Sequence, residues 1–328
     1  MKKPEVGILV RKSLRERIIS HNDLTKLGEF YNIKMNPFDR DLSANEVCQF
    51  LEGMTGAISS WGTVQITNSI LRCTSNLKIL AHAAGSIKNI VSDEVWERGL
   101  IVTSAAPAIA DDVAEMTIAC MTIGLRNILP LSRQMSENVP VDRDNVRTLY
   151  RRTTGVIGAS HVGRRVIDLL KPYDARILLY DPYLDKNDAS RLGVELSDLD
   201  TISASSEIIT CHAPMLPETY HLINGRHFKL MKDNTVIINT SRGDNIDESA
   251  LIKELEKGRL FAFLDVTSPE PPSFNSLLRT LPNVILTPHI AGPKSYRTGA
   301  LAVKELLRFV AGESQVHRVT KDMLPFIA

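Results

Sequence analysis

Three polar residues late in the chain, Arg242, Glu270 and His289, each follow a short apolar run that is typical of a buried strand. An arginine offers a forked pair of donors to a carboxylate, and a histidine exchanges a proton near neutral pH. A glutamate paired with a histidine orients the imidazole ring. Because ligands bind beyond the carboxyl ends of the strands in open α/β sheets, the three residues together predict a site that protonates a carbonyl group beside a carboxylate.

Each of these residues also has an ordinary structural explanation. Arg242 fits a solvated loop charge, Glu270 fits a turn between prolines, and His289 fits a hydrogen-bonded histidine at a domain edge. For any one residue taken singly, the ordinary explanation is the better one. The combination of all three favours chemistry.

The segment Thr153–Gly163 has the pattern of a strand, a tight turn and the start of a helix, whose backbone N–H groups and dipole can hold a pyrophosphate. Ser160 takes the place of the middle glycine of the dinucleotide motif, so the loop alone is equally typical of an ordinary strand, turn and helix. The candidate residues for binding a dinucleotide here are Gly158, Ser160, His161, Val162 and Gly163.

The next apolar run, Arg176–Tyr180, ends at Asp181, about 20 residues beyond the glycine loop. A carboxylate at this place accepts hydrogen bonds from the adenosine ribose and repels a 2′-phosphate, which favours NAD over NADP as the cofactor. Without this context, Asp181 is better explained as a turn former ahead of Pro182.

Composition limits the class of protein. A chain of 328 residues, of which 43% are hydrophobic and 23% charged, is long enough for about two globular domains. A formal net charge of +1 indicates neither nucleic acid nor an acidic membrane surface as a partner. We expect no signal peptide, and no apolar run approaches the roughly 18 to 20 residues that cross a bilayer.

The cysteines lie far apart in the chain, with no CxxC motif and no Cys/His cluster: Cys48, Cys73, Cys120 and Cys211. Disulfides are rare in reducing compartments. We therefore expect buried thiols in a cytoplasmic protein, and no metal site.

Short β-branched runs alternate with amphipathic stretches along the chain, which predicts parallel, doubly wound sheets. One helix is expected between Asn239 and Phe261, capped by Asp247 and closed by Gly258, with Leu251, Ile252 and Leu255 on one face. The predicted strands are Glu5–Val10, Gly56–Ser59, Leu77–Ala81, Thr153–Ile157, Arg176–Tyr180, Glu207–Thr210, Thr235–Asn239, Phe261–Val266 and Asn283–Thr287.

Two long helical patterns, Pro107–Leu131 and Pro293 to about Gly312, flank the second half of the chain. They predict an α/β fold of two Rossmann-like, doubly wound parallel-sheet domains, in which the cofactor domain is inserted in the substrate domain. Residues 1–104 would begin the substrate-binding domain, residues 105–292 would form the NAD-binding domain, and the helix of residues 293–328 would return to the first domain.

From about Leu77 to Gly292 the sequence resembles the D-isomer-specific 2-hydroxyacid dehydrogenase family, which includes phosphoglycerate, glycerate and D-lactate dehydrogenases. The order and spacing of the shared blocks make coincidence a poor explanation. The blocks are Val113–Glu115, Gly155–Gly163, Tyr180–Tyr183, His212–Pro214 with Pro217–Thr219, Asn239–Gly243, Leu264–Val266 with Pro269–Pro271, and Thr287–Gly292.

The resemblance implies a function and roles. A hydride would pass between NAD and a small 2-keto or 2-hydroxy acid, with His289 as the acid–base, Glu270 as its partner and Arg242 on the substrate carboxylate and keto oxygen. It also implies that Asp265 holds the nicotinamide carboxamide and that the chain forms a homodimer. The further residues expected to line the dinucleotide are His212, Pro214, Thr219, Thr240, His289 and Gly292.

Two departures from the family concern the substrate. The family's glycine-rich loop followed by Asp-Asn reads Ala81–Asn89 here, and its N–H groups at Ala83, Ala84, Gly85 and Ser86 are expected to meet a carboxylate. The stretch Ser59–Gly62 lacks the arginine that phosphoglycerate dehydrogenases place near here for a distal phosphate. We therefore do not expect 3-phosphoglycerate as the substrate.

Two other functions are compatible with such a fold. A non-enzymatic, NAD-sensing binding protein uses the same dinucleotide site, but it has no need of an acid–base pair. Formate dehydrogenase shares the fold, but formate oxidation needs no proton donor, so the pair Glu270 and His289 favours a hydroxy acid.

Overall fold

A computed structural model describes residues 3–141 and 143–327. The predicted domain ranges also include residues 1–2, 142 and 328, which lie outside the described residues. The chain divides into two compact units, Met1–Ile109 with Pro293–Ala328, and Ala110–Gly292. These divisions lie between Ile109 and Ala110 and between Gly292 and Pro293.

The first unit is built on a six-stranded sheet in the order β13-β5-β4-β3-β1-β2. Its strands are parallel except for β13, which pairs antiparallel with β5. The strands are β1 Glu5–Ile8, β2 Asn32–Met35, β3 Gly56–Ser59, β4 Ile79–His82, β5 Ile101–Ser104 and β13 Arg318–Val319. The helices are α1 Lys12–Ile18, α2 His21–Phe30, α3 Ala44–Phe50, α4 Asn68–Cys73, α5 Asp93–Glu97 and α13 Tyr296–Val310, and α6 Ala106–Leu125 continues into the second unit.

Side chains of this sheet alternate between two apolar cores, one on each face. In β3, Ala57 belongs to one core and Ile58 to the other. This period of two is the expected pattern for a strand that is covered on both faces. Helix α13 contributes Ala302, Val303 and Leu306 to the second of these cores, so the end of the chain completes the unit that the beginning starts.

The second unit contains a seven-stranded, wholly parallel sheet in the order β12-β11-β10-β9-β6-β7-β8. The order reverses between β6 and β9, the point at which doubly wound sheets bind nucleotides. The strands are β6 Thr153–Ile157, β7 Arg176–Tyr180, β8 Glu195–Leu196, β9 Ile208–Cys211, β10 Thr235–Asn239, β11 Leu260–Leu264 and β12 Val284–Leu286. The helices are α7 Ile128–Ser136, α8 His161–Leu170, α9 Lys186–Leu192, α10 Leu199–Ser205, α11 Gly225–Leu230 and α12 Glu248–Glu256.

Two buried cores cover the two faces of this sheet as well, with Val236 and Ile238 in one and Ile237 in the other. The predicted fold class is confirmed, and so is the helix before β11. The side chain of Asp247 caps α12 by accepting from the backbone N–H of Ala250, and Gly258 follows with φ +71°.

The single long helix predicted over Pro107–Leu131 is wrong. Helix α6 ends at Leu125, and α7 begins at Ile128 after Asn127, whose backbone is left-handed at φ 50°. The apolar periodicity continues across this break and therefore does not reveal it.

The prediction of four buried thiols is wrong for two of them. Cys48 in α3 and Cys73 in α4 form a disulfide, and Cys73 is exposed, whereas Cys120 and Cys211 are buried and free. The packing of α3 against α4 brings the two sulfur atoms together across a separation of 25 residues. Because two of the four cysteines form a disulfide, the cysteines no longer support the expectation of a cytoplasmic protein.

A membrane-spanning helix would have to be both long and apolar. None of the helices in the described part of the chain meets both conditions.

Candidate active site

The glycine loop joins β6 to α8 at the point where the strand order reverses. Gly158 has φ +91°, and a Cβ atom there would lie 2.8 Å from the backbone nitrogen of Ala213. A Cβ atom on Gly163 would lie 2.0 Å from the carbonyl oxygen of Gly158. Both positions therefore exclude a side chain, and the loop keeps the close turn that a dinucleotide-binding strand and helix require.

Ser160 has a structural task in this loop. Its Oγ accepts a hydrogen bond from the backbone N–H of Gly163 at 3.4 Å, which makes it the N-cap of α8. The serine that replaces the middle glycine thus stabilises the helix whose N-terminus faces the turn. His161 and Val162 form the first turn of that helix, where backbone N–H groups lack intrahelical partners.

Asp181 ties the end of β7 to the glycine loop. One carboxylate oxygen accepts from the backbone N–H of Ala159 at 2.8 Å, and the other accepts from that of Tyr183 at 3.0 Å. The side chain is only partly buried. Each oxygen keeps a second lone pair, so the carboxylate can still accept hydrogen bonds from a ligand.

His212 lies buried at the end of β9, on the other side of the reversal. Its Nε2 lies 2.9 Å from Oγ1 of Thr210, whereas Nδ1 is buried and has no hydrogen-bond partner among the described residues. Burial lowers the pKa of His212 to about 3, so the ring is neutral. An unpartnered buried nitrogen beside the glycine loop fits a site that a ligand completes.

The loop after His212 is closed by Thr219, whose Oγ1 donates to the carbonyl oxygen of Pro214 at 2.7 Å. An open depression next to it is lined by Met215, Leu216, Pro217, Tyr220 and Asp244. Thr240 directly follows β10, which pairs with β9, and it is buried, with its hydroxyl 3.3 Å from that of Thr117. Gly292 is the last residue of the unit, and the hydrogen bonds of the described residues assign it no special contact.

Arg242 follows β10 on a braced turn. The side chain of Asn239 donates to the carbonyl oxygen of Arg242 at 2.8 Å, and Nη1 of Arg242 donates to the carbonyl oxygen of Ser241 at 2.7 Å. Among the described residues, no carboxylate forms an ion pair with this guanidinium. A half-buried cation without an acidic partner is suited to bind an anion.

Glu270 and His289 meet, as predicted. Nδ1 of His289 lies 2.7 Å from Oε1 of Glu270, and both side chains are partly exposed. Since β10, β11 and β12 are parallel neighbours, Arg242, Glu270 and His289 follow three adjacent strands at one edge of the sheet. This placement brings an imidazole, its carboxylate partner and a guanidinium to the same end of the sheet.

The sequence did not reveal how His289 is held in place. The carboxylate of Asp265 accepts from Oγ1 of Thr287 at 2.6 Å and from the backbone N–H groups of Ile290 and Ala291 at 2.8 Å each. Asp265 is 1% exposed, so these three bonds anchor the turn that carries His289, whose φ is 54°. A threonine two residues before the histidine is the signal that could have suggested this anchor.

In the first unit, the predicted donors at Ala83–Ser86 need one correction. The backbone N–H of Ala83 donates to the carbonyl oxygen of Ser59 at 2.7 Å, because it extends the pairing of β4 with β3. The N–H groups of Ala84, Gly85 and Ser86 meet no acceptor among the described residues. Three successive N–H groups are therefore the available donors, one fewer than predicted.

The second unit thus offers what a dinucleotide requires: a close glycine turn at a helix N-terminus, a carboxylate after the next strand and a buried unpartnered imidazole nitrogen at the reversal point. These features fit NAD. Residues 118–291 match the family described as D-isomer specific 2-hydroxyacid dehydrogenase, NAD binding domain. The chain belongs to this family, and NAD is its cofactor.

Two relatives of known name support the assignment to this family. A glyoxylate reductase of Thermococcus litoralis is 30% identical over 323 residues, which cover 94% of this chain and 96% of that protein. A D-3-phosphoglycerate dehydrogenase of Methanocaldococcus jannaschii is 34% identical over 268 residues, 80% of this chain and 51% of that protein. The chain thus spans about half the length of the phosphoglycerate dehydrogenases that it matches.

A solved structure shows the same fold. D-lactate dehydrogenase with NAD⁺ from Lactobacillus jensenii superposes with a TM-score of 0.79 at 23% identity, covering 97% of this chain and 100% of that one.

Proposed function

We propose that the protein is an NAD-dependent oxidoreductase that transfers a hydride between nicotinamide and C2 of a small D-2-hydroxy acid or 2-keto acid. The observation that carries this proposal is the 2.7 Å contact of His289 with Glu270, at the same sheet edge as Arg242, which forms no ion pair with the described residues. A protein that only binds a dinucleotide has no use for this arrangement.

Each of the three residues has a task in the reduction. His289 donates a proton to the oxygen that develops on C2, and such transfer typically contributes about 10² to 10⁴ in rate. Glu270 orients the imidazole, and Arg242 binds the keto oxygen and the neighbouring carboxylate. When bound, NADH supplies the hydride.

The dinucleotide is assigned to the reversal point of the sheet. The turn from Gly158 to Gly163 takes the pyrophosphate, and Asp181 takes the adenosine ribose. His212, Pro214, Thr219, Thr240 and Gly292 line the remainder. Asp265 holds the nicotinamide carboxamide in addition to the turn that carries His289, since one of its four lone-pair positions is unused.

The substrate class follows from the donors in the first unit and from the names of relatives. The N–H groups of Ala84, Gly85 and Ser86, which meet no acceptor in the described part of the chain, suit a carboxylate. Relatives named glyoxylate reductase and hydroxypyruvate reductase act on small 2-keto acids. We expect 3-phosphoglycerate to be a poor substrate, because Ser59 and Ser60 are fully buried and present no cation for a distal phosphate.

The test is NADH oxidation with a panel of 2-keto acids that includes glyoxylate, hydroxypyruvate and pyruvate, with His289→Ala as the inactive control. Turnover of at least one acid by the wild type alone supports the proposal. Tight NADH binding without turnover of any acid favours the NAD-sensing protein. NAD reduction by formate that survives in the control variant favours formate dehydrogenase.

The protein is further proposed to act as a homodimer through the second unit. Helix α7 buries none of its residues, although it carries Ile128, Leu129 and Met135, which is 70% exposed. An apolar helix face of this kind is typical of a surface that a partner covers. Light scattering of the wild type and of Leu129→Glu tests this, and a wild-type monomer contradicts it.

A further inference from the structure

The turn that carries Arg242 and the loop that carries Glu270 touch through their backbones. Gly243, which directly follows Arg242, is buried, and a Cβ atom on it would lie 2.5 Å from the backbone nitrogen of Ser268. A side chain does not fit between the two segments at this point. The turn and the loop are therefore in direct contact.

Two carboxylates bond the same residue beside this contact. Oε1 of Glu248, in the first turn of α12, accepts from the backbone N–H of Ser268 at 2.6 Å. A carboxylate oxygen of Asp244 accepts from the hydroxyl of Ser268. Both acceptors belong to the segment that follows Arg242, whereas Ser268 belongs to the segment that leads to Glu270. The two hydrogen bonds therefore tie these segments together.

The position of Ser268 affects Glu270 because the chain between them is stiff. Pro269 and Pro271 flank Glu270, and a proline ring fixes its own φ and restricts the residue before it. The residues before these two prolines are Ser268 and Glu270 themselves. Oγ1 of the buried Thr267 also donates to the carbonyl oxygen of Pro269 at 2.8 Å. The bonds at Ser268 therefore restrict where the side chain of Glu270 lies.

The acceptors are themselves held by the second unit. The carbonyl oxygen of Asp244 accepts from the backbone N–H of His221 at 2.8 Å. The side chain of the neighbouring Asn245, which is fully buried, donates to the carbonyl oxygen of Ala213 at 2.8 Å. Glu248 is part of a regular helix. Because the acceptors have fixed places, the tie can set the geometry of the loop.

We propose that Asp244 and Glu248 are positioning residues, which hold Ser268 and thereby keep the carboxylate of Glu270 in place for His289. This inference rests on the proposed function, since it concerns the pair that transfers the proton there. In this role neither residue touches the substrate, and each acts through Glu270.

Glu248 offers the sharpest test, because two replacements differ in whether they keep the acceptor. Glu248→Ala removes it, whereas Glu248→Gln retains a side-chain oxygen for the N–H of Ser268. We expect Glu248→Ala to lower kcat for glyoxylate about tenfold, the size of one lost hydrogen bond. Glu248→Gln should stay within about threefold of the wild type. Glu256→Ala, which removes an exposed carboxylate at the other end of α12, is the matched control and should leave kcat unchanged.

Asp244 is tested through the hydroxyl from which it accepts. Asp244→Ala and Ser268→Ala each remove one end of the same hydrogen bond, so each should lower kcat by a similar factor, about three- to tenfold. The double variant should be no slower than the slower single variant. KM for glyoxylate should stay within about threefold in all variants, because Asn239 holds the turn of Arg242 independently.

A double-mutant cycle separates positioning from a general structural role. Glu270→Ala leaves no carboxylate to position, so adding Glu248→Ala to it should change kcat by less than about twofold. A second readout does not depend on turnover. Hydrogen exchange of the Ser268 amide, followed by NMR, should be about tenfold faster in Glu248→Ala and nearly unchanged in Glu248→Gln. Melting temperatures show whether each variant is folded.

Equal kcat in Glu248→Ala and the wild type overturns the positioning role, and so does an equal loss with and without the Glu270 carboxylate. A Gln variant as slow as the Ala variant also overturns it, because the acceptor oxygen is retained. A wild type that reduces no 2-keto acid overturns the proposed activity. In that case, faster exchange of the Ser268 amide in Glu248→Ala than in Glu248→Gln still supports the tie, and equal exchange overturns it.

Discussion

Nδ1 of His289 and Oε1 of Glu270 lie 2.7 Å apart although both side chains are partly exposed. Exposed pairs of this kind contribute little to folding. The pair is therefore not needed for stability, and the proposed reaction gives it a task. Because the carboxylate occupies Nδ1, the opposite ring nitrogen, Nε2, is the one that would face the substrate in the proposed reaction.

His289→Ala should lower kcat for the 2-keto acid by about 10² to 10⁴-fold, because it removes the proton donor. The NADH dissociation constant should change by less than about twofold, which corresponds to about 0.4 kcal/mol. Steady-state kinetics and fluorescence titration of NADH measure the two quantities. Near-normal turnover would exclude His289 as the acid.

Glu270→Gln should lower kcat about 10- to 100-fold, because a charge-assisted hydrogen bond to the imidazole is replaced by a neutral one. The double variant Glu270→Gln/His289→Ala should be no slower than His289→Ala alone, since the glutamate acts through the histidine. Additive losses in that double-mutant cycle would show that Glu270 acts independently.

Asp181→Ala should weaken NAD binding about tenfold, because a charged acceptor for the ribose hydroxyls is lost. The affinity for NADP should fall less or rise, since the repulsion of a 2′-phosphate is lost too. Asp181→Asn is the matched control, because it keeps one oxygen for the backbone of Ala159 or Tyr183. An unchanged ratio of the NAD and NADP dissociation constants would place the specificity elsewhere.

Ser160→Ala should reduce the free energy of unfolding by about 1 kcal/mol, whereas Ser160→Gly should cost only a few tenths, because glycine is tolerated at an N-cap. The NADH dissociation constant of Ser160→Gly should change by no more than about tenfold. Urea titration and NADH titration measure these effects. A much larger gain in affinity would show that the native serine obstructs the cofactor.

Glu248→Gln should raise the melting temperature at pH 8.5 and leave it nearly unchanged at pH 4. Burial, the first cause, and the nearby charge of Asp244 raise the pKa of Glu248 from 4.5 to about 7, although the backbone N–H of Ser268 donates to it at 2.6 Å. A raised folded-state pKa means that stability is lost as the pH rises from 4.5 through 7. The amide of glutamine does not ionise, so the variant avoids this decrease in stability as the pH rises. The same difference in melting temperature between the wild type and the variant at both pH values would contradict the raised pKa of Glu248.

The residues after strands could be predicted because parallel strands bring their carboxyl ends to one edge, whatever the details of packing. The sequence does not predict strands β2, β5, β8 and β13. β8 and β13 have two residues each, and β2 lies at an edge and is largely exposed, so none of these three has a clear apolar pattern. β5 runs directly into the small apolar residues of α6, which hides its end.

The supporting hydrogen bonds of the site could not be predicted. The bond of Thr287 to Asp265 spans 22 residues, and that of Ser59 to His82 spans 23. Such pairs depend on strand register and on side-chain direction, which apolar periodicity does not specify. The disulfide between Cys48 and Cys73 cannot be predicted for the same reason, since its formation depends on two helices packing together.

The return of α13 to the first unit has a consequence for synthesis on the ribosome. All residues of the second unit lie between Ala110 and Gly292, so this unit has its complete sequence while the last part of the chain is still being made. The first unit begins at the N-terminus but needs Ala302, Val303 and Leu306 for its core. During translation this core therefore lacks the side chains of α13 until residues 296–310 have been synthesised and have left the ribosome.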